Sequence, residues 1–326
     1  MKNCNKLQIA GMIFTIILSI PFLAGWCWNK PITNPEVAIN DKDGKVYIID
    51  TNNRIRRVRI KNRGFDVSLS PDGTKIAYND YIRRISDTEA IYGLWVCNID
   101  GTDQRLISNR GGKGALPRLI AWSPDSKRIA FKADYDKGGG IYLVESSGKN
   151  EKFLMKAGLL GWVDNRTVVC GKDRKILLLD VITLKTKDKI VHKISSDEER
   201  LSYSGDKIVY MEHIEKIREG SRFYRTVKNI YISGINGENK KLLAKERISE
   251  KPKPQLFSFS NLKWGRSGKK IFYNAKPLVL REQGYKSDTR GWRFTSFYYF
   301  LMCIEIDDNN NITNKTKLKE IRYTRF

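Results

Sequence analysis

Ser70-Pro71-Asp72-Gly73-Thr74-Lys75-Ile76-Ala77-Tyr78 returns as Ser123-Pro124-Asp125-Ser126-Lys127-Arg128-Ile129-Ala130-Phe131. A stretch that recurs within one chain marks a fold assembled from copies of one unit. Weaker copies lie at residues 161–170, 202–210 and 263–273. Each copy sets an apolar strand before a turn of Ser, Pro, Asp, Asn or Gly and a second strand after it. Gly and Asp supply the backbone angles that a tight hairpin needs. Leu69, Trp122, Trp162, Tyr203 and Trp264 share one equivalent position just ahead of the turn.

A third apolar run follows each pair: Val46-Tyr47-Ile48-Ile49, Leu94-Trp95-Val96-Cys97, Ile141-Tyr142-Leu143-Val144, Ile176-Leu177-Leu178-Leu179, Ile230-Tyr231-Ile232 and Leu301-Met302-Cys303-Ile304. Most run into a second turn, such as Asp100-Gly101-Thr102 or Asn236-Gly237-Glu238, and then a fourth strand. Short β-branched and aromatic runs between turns read as strands. Four strands per repeat is the unit of a β-propeller blade. The hairpin turns at Ser70, Ser123, Val163, Ser204 and Gly265 are 53, 40, 41 and 61 residues apart. A blade takes roughly 40–50 residues, so the long intervals hold insertions. The fold class is therefore all-β, a single propeller of four-stranded blades. Six copies are counted, the first (residues 35–62) incomplete. Six blades are expected, the ring closing by strands shared between the chain ends; five and seven stay open.

The Ser-Pro-Asp-Gly-x-x-Ile-Ala-Tyr turn, the Ile-Tyr-Leu-Val strand and the Asp-Gly turn together resemble the TolB-like propeller repeat. The resemblance covers nearly everything after the N-terminal segment and is strongest at residues 65–108 and 119–155. The Trp-Asp ending of WD-type blades is absent, as is the Ser-x-Asp-x-Gly box of sialidases. The resemblance implies an extracytoplasmic propeller that serves as a binding platform. It transfers no specific ligand.

Residues 7–28 form an uncharged run, preceded by Lys2 and Lys6. A transmembrane helix needs about 20 apolar residues, so this run is long enough to span. Trp26 and Trp28 suit the membrane interface. A cleaved secretory signal is the rival reading, though Leu23-Ala24-Gly25 puts a large residue where cleavage wants a small one. A lipid anchor on Cys27 suffers from bulky Trp26 before it. The expected organisation is an anchor or signal segment at 1–28, a linker at 29–35 and the propeller at 36–326. Every variant places the propeller outside the cytoplasm.

No α/β-hydrolase domain has room after the propeller, and no Gly-x-Ser-x-Gly elbow occurs. Residues 201–205 are a near miss, better read as a blade turn. Cys97, Cys170 and Cys303 fall in strands as small buried hydrophobes, while Cys4 and Cys27 belong to the N-terminal segment. The 60 Lys and Arg against 36 Asp and Glu leave a net charge of +24. Such a balance favours anionic partners and says nothing of fold.

Strand order locates a site. In an up-down-up-down blade the first-to-second and third-to-fourth turns share one face, here called the turn face. Second-to-third connections and blade linkers share the other. The insertions fall on that other face: residues 81–93, 212–228 and 276–297, with linkers 109–118 and 246–259. They are basic and aromatic. The ligand-contacting candidates are Arg83 and Arg84 in the first, Arg222, Tyr224 and Arg225 in the second, and Tyr285, Arg290, Trp292 and Arg293 in the third. Flat rings stack on sugars or bases, and guanidinium forks grip phosphate or carboxylate. The run at 54–63 reads instead as an outer strand whose charges block edge pairing.

Catalysis has little to build on. His192 and His213 are the sole histidines. Asp134-Tyr135-Asp136 and Asp197-Glu198-Glu199 have no diagnostic spacing, and no phosphate loop or Cys-pair zinc motif occurs. No cofactor or metal is expected. The function expected is non-catalytic: an extracytoplasmic platform for a protein or an anionic envelope polymer, with membrane contact through the N-terminal segment. A nucleic-acid partner has no motif behind it. The alternative is a hydrolase or lyase acting on an anionic glycan.

Overall fold

The second strand of each copy is apolar at successive positions: 76–78, 129–131, 168–170, 208–210 and 271–273. A strand of that kind must be covered on both faces. The computed structural model describes residues 33–41, 43–86, 89–113, 117–133, 139–172, 175–188, 200–201, 205–219, 223–249, 255–282, 292–295 and 298–322. The expected N-terminal helix (residues 1–28) lies outside them. Among the described residues no helix is long and apolar enough to cross a membrane.

The described strands form six antiparallel sheets. The first holds β1 (Pro35–Asn40), β2 (Val46–Asp50) and β3 (Ile55–Val58). The second runs β4 (Phe65–Leu69), β5 (Lys75–Arg84), β6 (Ala90–Asn98), β7 (Arg105–Lys113). The third runs β8 (Arg118–Trp122), β9 (Arg128–Ala133), β10 (Gly140–Glu145), β11 (Lys152–Met155). The fourth holds β12 (Gly158–Trp162), β13 (Thr167–Lys172), β14 (Lys175–Asp180) and β15 (Thr186–Asp188). In the fifth are β16 (Arg200–Leu201), β17 (Lys207–Glu219), β18 (Phe223–Gly234) and β19 (Lys241–Lys245). The sixth comprises β20 (Arg247–Ser249), β21 (Gln255–Trp264), β22 (Lys270–Glu282), β23 (Trp292–Thr295), β24 (Tyr298–Ile306) and β25 (Ile312–Arg322).

The apolar core lies between these sheets. Ala77, Leu94 and Val96 of the second blade pack with Trp122, Ile129 and Phe131 of the third. Ala130 and Leu143 pack with Leu159, Trp162 and Cys170 of the fourth. The series continues through Val169 with Ile208, and Val209 with Ile271. Val37 and Ile49 meet Phe272, Leu301 and Cys303, so the sixth blade rests on the first. The chain is a six-bladed β-propeller. Tyr78, Phe131 and Tyr273 are at most 1% exposed, and each buried ring contributes about 2–3 kcal/mol.

The recurring pre-turn aromatics have a polar task as well. The Trp122 indole N–H donates to the Ser68 carbonyl at 3.2 Å, and that of Trp162 to the Ala121 carbonyl at 3.0 Å. Each indole reaches the residue just before the equivalent position of the preceding blade. The turns are chained the same way: Asp72 N donates to Ser126 Oγ, and Asp125 N to Asn165 Oδ1. Within each turn the carboxylate accepts from its own serine, Ser70 to Asp72 and Ser123 to Asp125, both at 2.6 Å.

Among the described residues no sheet takes strands from both ends of the chain. β25 stays beside β24 in its own blade, and the first sheet is β1-β2-β3. Thr51 N donates to Asn34 O, the bond that Ile99 makes to Thr74, Ser146 to Lys127 and Ile306 to Lys269. β1 is therefore a second strand, and among the described residues the first blade has no innermost strand. A polar latch joins the last blade to the first and second. Arg266 N donates to Glu36 O at 2.7 Å. The Arg266 guanidinium donates to the carbonyls of Pro35 and Pro71, and Lys263 Nζ donates to Val67 O.

Candidate functional site

Three second-to-third connections are longer than a blade requires. β9 and β10 have 6 residues each, whereas β17 has 13 and β18 has 12. At about 3.3 Å per residue the fifth-blade hairpin reaches about 20 Å further. Its pairing is continuous from Lys207↔Gly234 to Glu219↔Phe223, with one bulge between His213 and Glu215. β5 and β6 pair out to Arg84↔Ala90, and β22 runs on to pair with β23. The segments read as loops at 81–93, 212–228 and 276–297 are thus largely ladders. Backbone pairing fixes these connections in register, which a looped reading did not anticipate.

All three project from the face opposite the Ser-Pro-Asp turns, here the hairpin face. Arg83 and Arg84 are exposed near the end of β5. In the fifth blade Tyr224 sits opposite Arg218, and Arg225 opposite Ile217. In the sixth Trp292 sits opposite Glu282, and Arg293 opposite Arg281. Arg222, Tyr285 and Arg290 lie outside the described residues. Six of the sequence-picked positions therefore fall on ordered strands of one face, distributed over three blades.

Sequence reading passed over the isoleucines between the arginines. Ile82 and Ile85 are 36% and 46% exposed, and Ile214 on β17 is 49% exposed. The isoleucines flanking the arginine pair in Ile82-Arg83-Arg84-Ile85 were the available signal. The basic run at 54–63 forms the expected outer strand only in its first part, where β3 edges its sheet. β3 ends at Val58. The chain beyond it is held by Gln104, whose Oε1 accepts from Lys61 N and whose Nε2 donates to Arg59 O. It ends where Arg63 N donates to Asp80 Oδ1, so exposed Arg63 belongs to the hairpin face.

Two buried carboxylates stand behind this face. Asp80, 2% exposed, accepts from the N–H groups of Tyr81 at 2.7 Å and Arg63 at 3.3 Å. Burial pushes its carboxyl up to about 6, against the pull of those hydrogen bonds. Glu246, also 2% exposed, accepts from Lys228 N at 2.7 Å and Phe259 N at 3.0 Å. Each acid fastens a blade linker to the root of a long hairpin.

A cavity of about 100 Å³ opens where β4, β8, β12 and β21 converge with β1. Its wall is mainly apolar, with Val67, Ala121, Leu160 and Trp264 among the lining residues. Its charged groups are Asp66 and Lys263. The Asp66 carboxylate accepts from Leu119 N, and Lys263 bonds Val67 O. Among the described residues no three His, Cys, Asp or Glu cluster in a way that could hold a metal ion. His192 and the acidic groups at 134–136 and 197–199 lie outside the described residues.

No protein-family model matches the chain. A similar curated protein is the TolB homolog of Chlorobaculum tepidum, 29% identical over 125 residues, which are 38% of this chain and 25% of that protein. Among solved structures, TolB from Acinetobacter baumannii aligns with a TM-score of 0.54 at 14% identity, covering 89% of this chain and 63% of that one. An oligogalacturonate lyase from Vibrio parahaemolyticus aligns at 0.44 with 11% identity, over 73% of this chain and 70% of that one. The chain thus spans a quarter of the curated relative and under two thirds of the solved TolB. Identities this low among solved structures establish the fold, and the lyase likeness supports no reading of activity.

Proposed function

We propose that this chain, a TolB-like β-propeller, is a non-catalytic binding platform outside the cytoplasm whose hairpin face holds an acidic protein or anionic polymer of the envelope. One observation carries the reading: three hairpins, extended by backbone pairing, bring basic and aromatic positions to one side of a rigid ring. Functional residues concentrate on elements held by such a scaffold. Exposed isoleucines beside Arg83 and Arg84 add apolar contact to charge, the mix found at protein interfaces. The resemblance to TolB supports the location and the binding role. Residues 7–28 serve as an uncleaved membrane anchor in this reading.

The test is capture from envelope extract by the immobilised full chain in detergent. An acidic partner retained at low salt and released as salt rises is expected, because screening weakens surface charge pairs. Capture that is indifferent to salt and to Arg83→Ala with Arg84→Ala would sink the reading. Cleavage of an acidic glycan by the purified chain would replace it with the hydrolase or lyase alternative.

A further inference from the structure

The basic run at 54–63 carries more charge than an outer strand needs, since β3 ends at Val58 and the cations continue past it. Exposure alternates along the stretch. Arg57, Arg59, Lys61 and Arg63 are exposed, Val58 is buried, and Ile60 and Asn62 are half-buried. Alternation of period two is the mark of an extended chain. At about 3.3 Å per residue, successive charges stand about 7 Å apart and the four span about 20 Å.

Three fastenings hold this strap to the flank of the second blade. Gln104 accepts from Lys61 N at 2.7 Å and donates to Arg59 O at 3.3 Å. Gly101 leaves room for the same carbonyl, since a Cβ there would come within 2.3 Å of it. Asp80 accepts from Arg63 N at 3.3 Å and from the Asn62 side chain. The strap therefore runs from the third-to-fourth turn of that blade to the root of its long hairpin. A row of charges set in place beforehand binds more tightly than a mobile one, because less ordering is left to do.

The charges are also unanswered. Among the described residues no ion pair joins Arg57, Arg59, Lys61 or Arg63 to an acid. The acids beside them are engaged elsewhere. Asp103 pairs with Arg105 at 3.4 Å, the Asp100 carboxylate accepts from Thr102 N and Oγ1, and buried Asp80 feels Lys61 through space. At the next blade interface Arg110 does meet an acid, Glu151, at 2.5 Å.

The exposed row offers charge alone. No apolar side chain stands exposed among its cations, unlike Ile82 and Ile85 beside Arg83 and Arg84. Tyr47, the ring across from Arg57, is covered by Lys319 Nζ at 4.5 Å. Protein partners need apolar contact at the centre of an interface, and bases and sugars stack on flat rings. A chain whose own backbone carries regular phosphates needs neither, and guanidinium forks match its oxygens. We infer that the strap from Arg57 to Arg63 binds an extended phosphodiester polymer through its backbone charge. The inference concerns the flank of the second blade and stands independently of the hairpin-face reading.

The test follows binding of a short fluorescent oligothymidylate to the full chain in detergent, by anisotropy, over a range of salt concentrations. Each phosphate contact on a single strand contributes about 0.7 to the slope of log K against log salt. Arg57→Gln with Arg59→Gln is expected to lower that slope by about 1.4 and to weaken binding several-fold at low salt. Lys61→Gln with Arg63→Gln should do the same. Two further pairs remove equal charge elsewhere, Arg83→Gln with Arg84→Gln on the hairpin face and Lys127→Gln with Lys149→Gln on the turn face. Both are expected to keep the wild-type slope. Equal reductions from all four pairs would mean bulk charge and overturn the proposal, as would strap pairs that leave the slope unchanged. A slope lowered by the Arg83 and Arg84 pair alone would overturn the strap and spare the hairpin face. Poly(glycerol phosphate) of matched charge should displace the probe as well as unlabelled oligothymidylate does. Failure to displace it would mean that bases are read, against recognition by the backbone. Displacement by polyglutamate at equal charge would make an acidic protein the occupant instead.

Discussion

Ser267 donates its backbone N–H to the Glu36 carboxylate at 3.1 Å across 231 residues of sequence. The Ser267 hydroxyl donates to the same oxygen. Glu36 is 1% exposed, and a Cβ on Gly265 would come within 2.3 Å of its Oε1. The carboxylate of the first blade thus caps the turn of the last. A buried acid of the first blade ties the ring shut at the last.

Glu36→Ala is expected to cost about 1–3 kcal/mol, because it removes a buried carboxylate that accepts two hydrogen bonds from Ser267. Ser267→Ala should cost less, and the double variant should fall short of the sum, since both act through one contact. Chemical denaturation of the four proteins measures this. Strict additivity would remove Glu36–Ser267 as the latch.

The tryptophan bonds between blades make a second expectation. Trp162→Phe keeps most of the ring and removes the N–H that reaches Ala121 O. A loss of about 1 kcal/mol is expected for that hydrogen bond alone. Trp122→Phe should behave alike at Ser68. Melting temperatures that do not move would mean the indoles act only by packing.

Asp80 gives a pH signature with a definite sign. Its folded value of about 6 stands above the ordinary 3.8. The folded state then binds the proton more tightly, so stability falls as pH rises from about 4 to about 6 and is flat beyond. Asp80→Asn should flatten that slope and stabilise the chain at pH 7 by up to about 3 kcal/mol. The turn acids Asp72 and Asp125 act in the other direction. Burial raises each, but hydrogen bonds from Ser70 and Thr74, or from Ser123 and Lys127, outweigh it and hold the carboxyls below 3.8. Their contribution is present above 3.8 and lost as pH falls through the lowered values. Melting curves from pH 3 to pH 8 separate the two trends.

Thiol accessibility is a further check. Burial pushes Cys97, Cys170 and Cys303 up to about 12. Thiolate, the reactive form, is scarce at such values. Alkylation of the native chain at pH 8 should spare all three, and denaturant should expose them together. Modification of any one in the folded state would contradict its burial.

The blades were readable from sequence because hairpin turns carry their own chemistry, as Ser70 and Ser123 do. The incomplete first blade was visible for the same reason. Closure was not readable, since nothing local about Glu36 points to Ser267. Nor were the indole bonds, whose acceptors are carbonyls that any residue supplies. The hairpin face was found by elimination, from where the copies stop matching. Its ladders were missed because Glu212 to Lys228 mixes charges with scattered apolar residues and lacks clean alternation. The basic run after Val58 misled in the opposite way, since period two suggested a strand where the chain is a linker pinned by Gln104.

The central claim is that the hairpin face, and not positive charge at large, holds the envelope partner. The most direct measurement compares retention of the captured material by Arg83→Glu with Arg84→Glu, and by Lys127→Glu with Lys149→Glu on the turn face. All four side chains carry the same charge, and Arg83, Arg84, Lys127 and Lys149 are all exposed. The account predicts a loss of roughly tenfold for the arginine pair, about 1.4 kcal/mol, and wild-type retention for the lysine pair. Equal losses from both pairs, or none from the arginines, would contradict it.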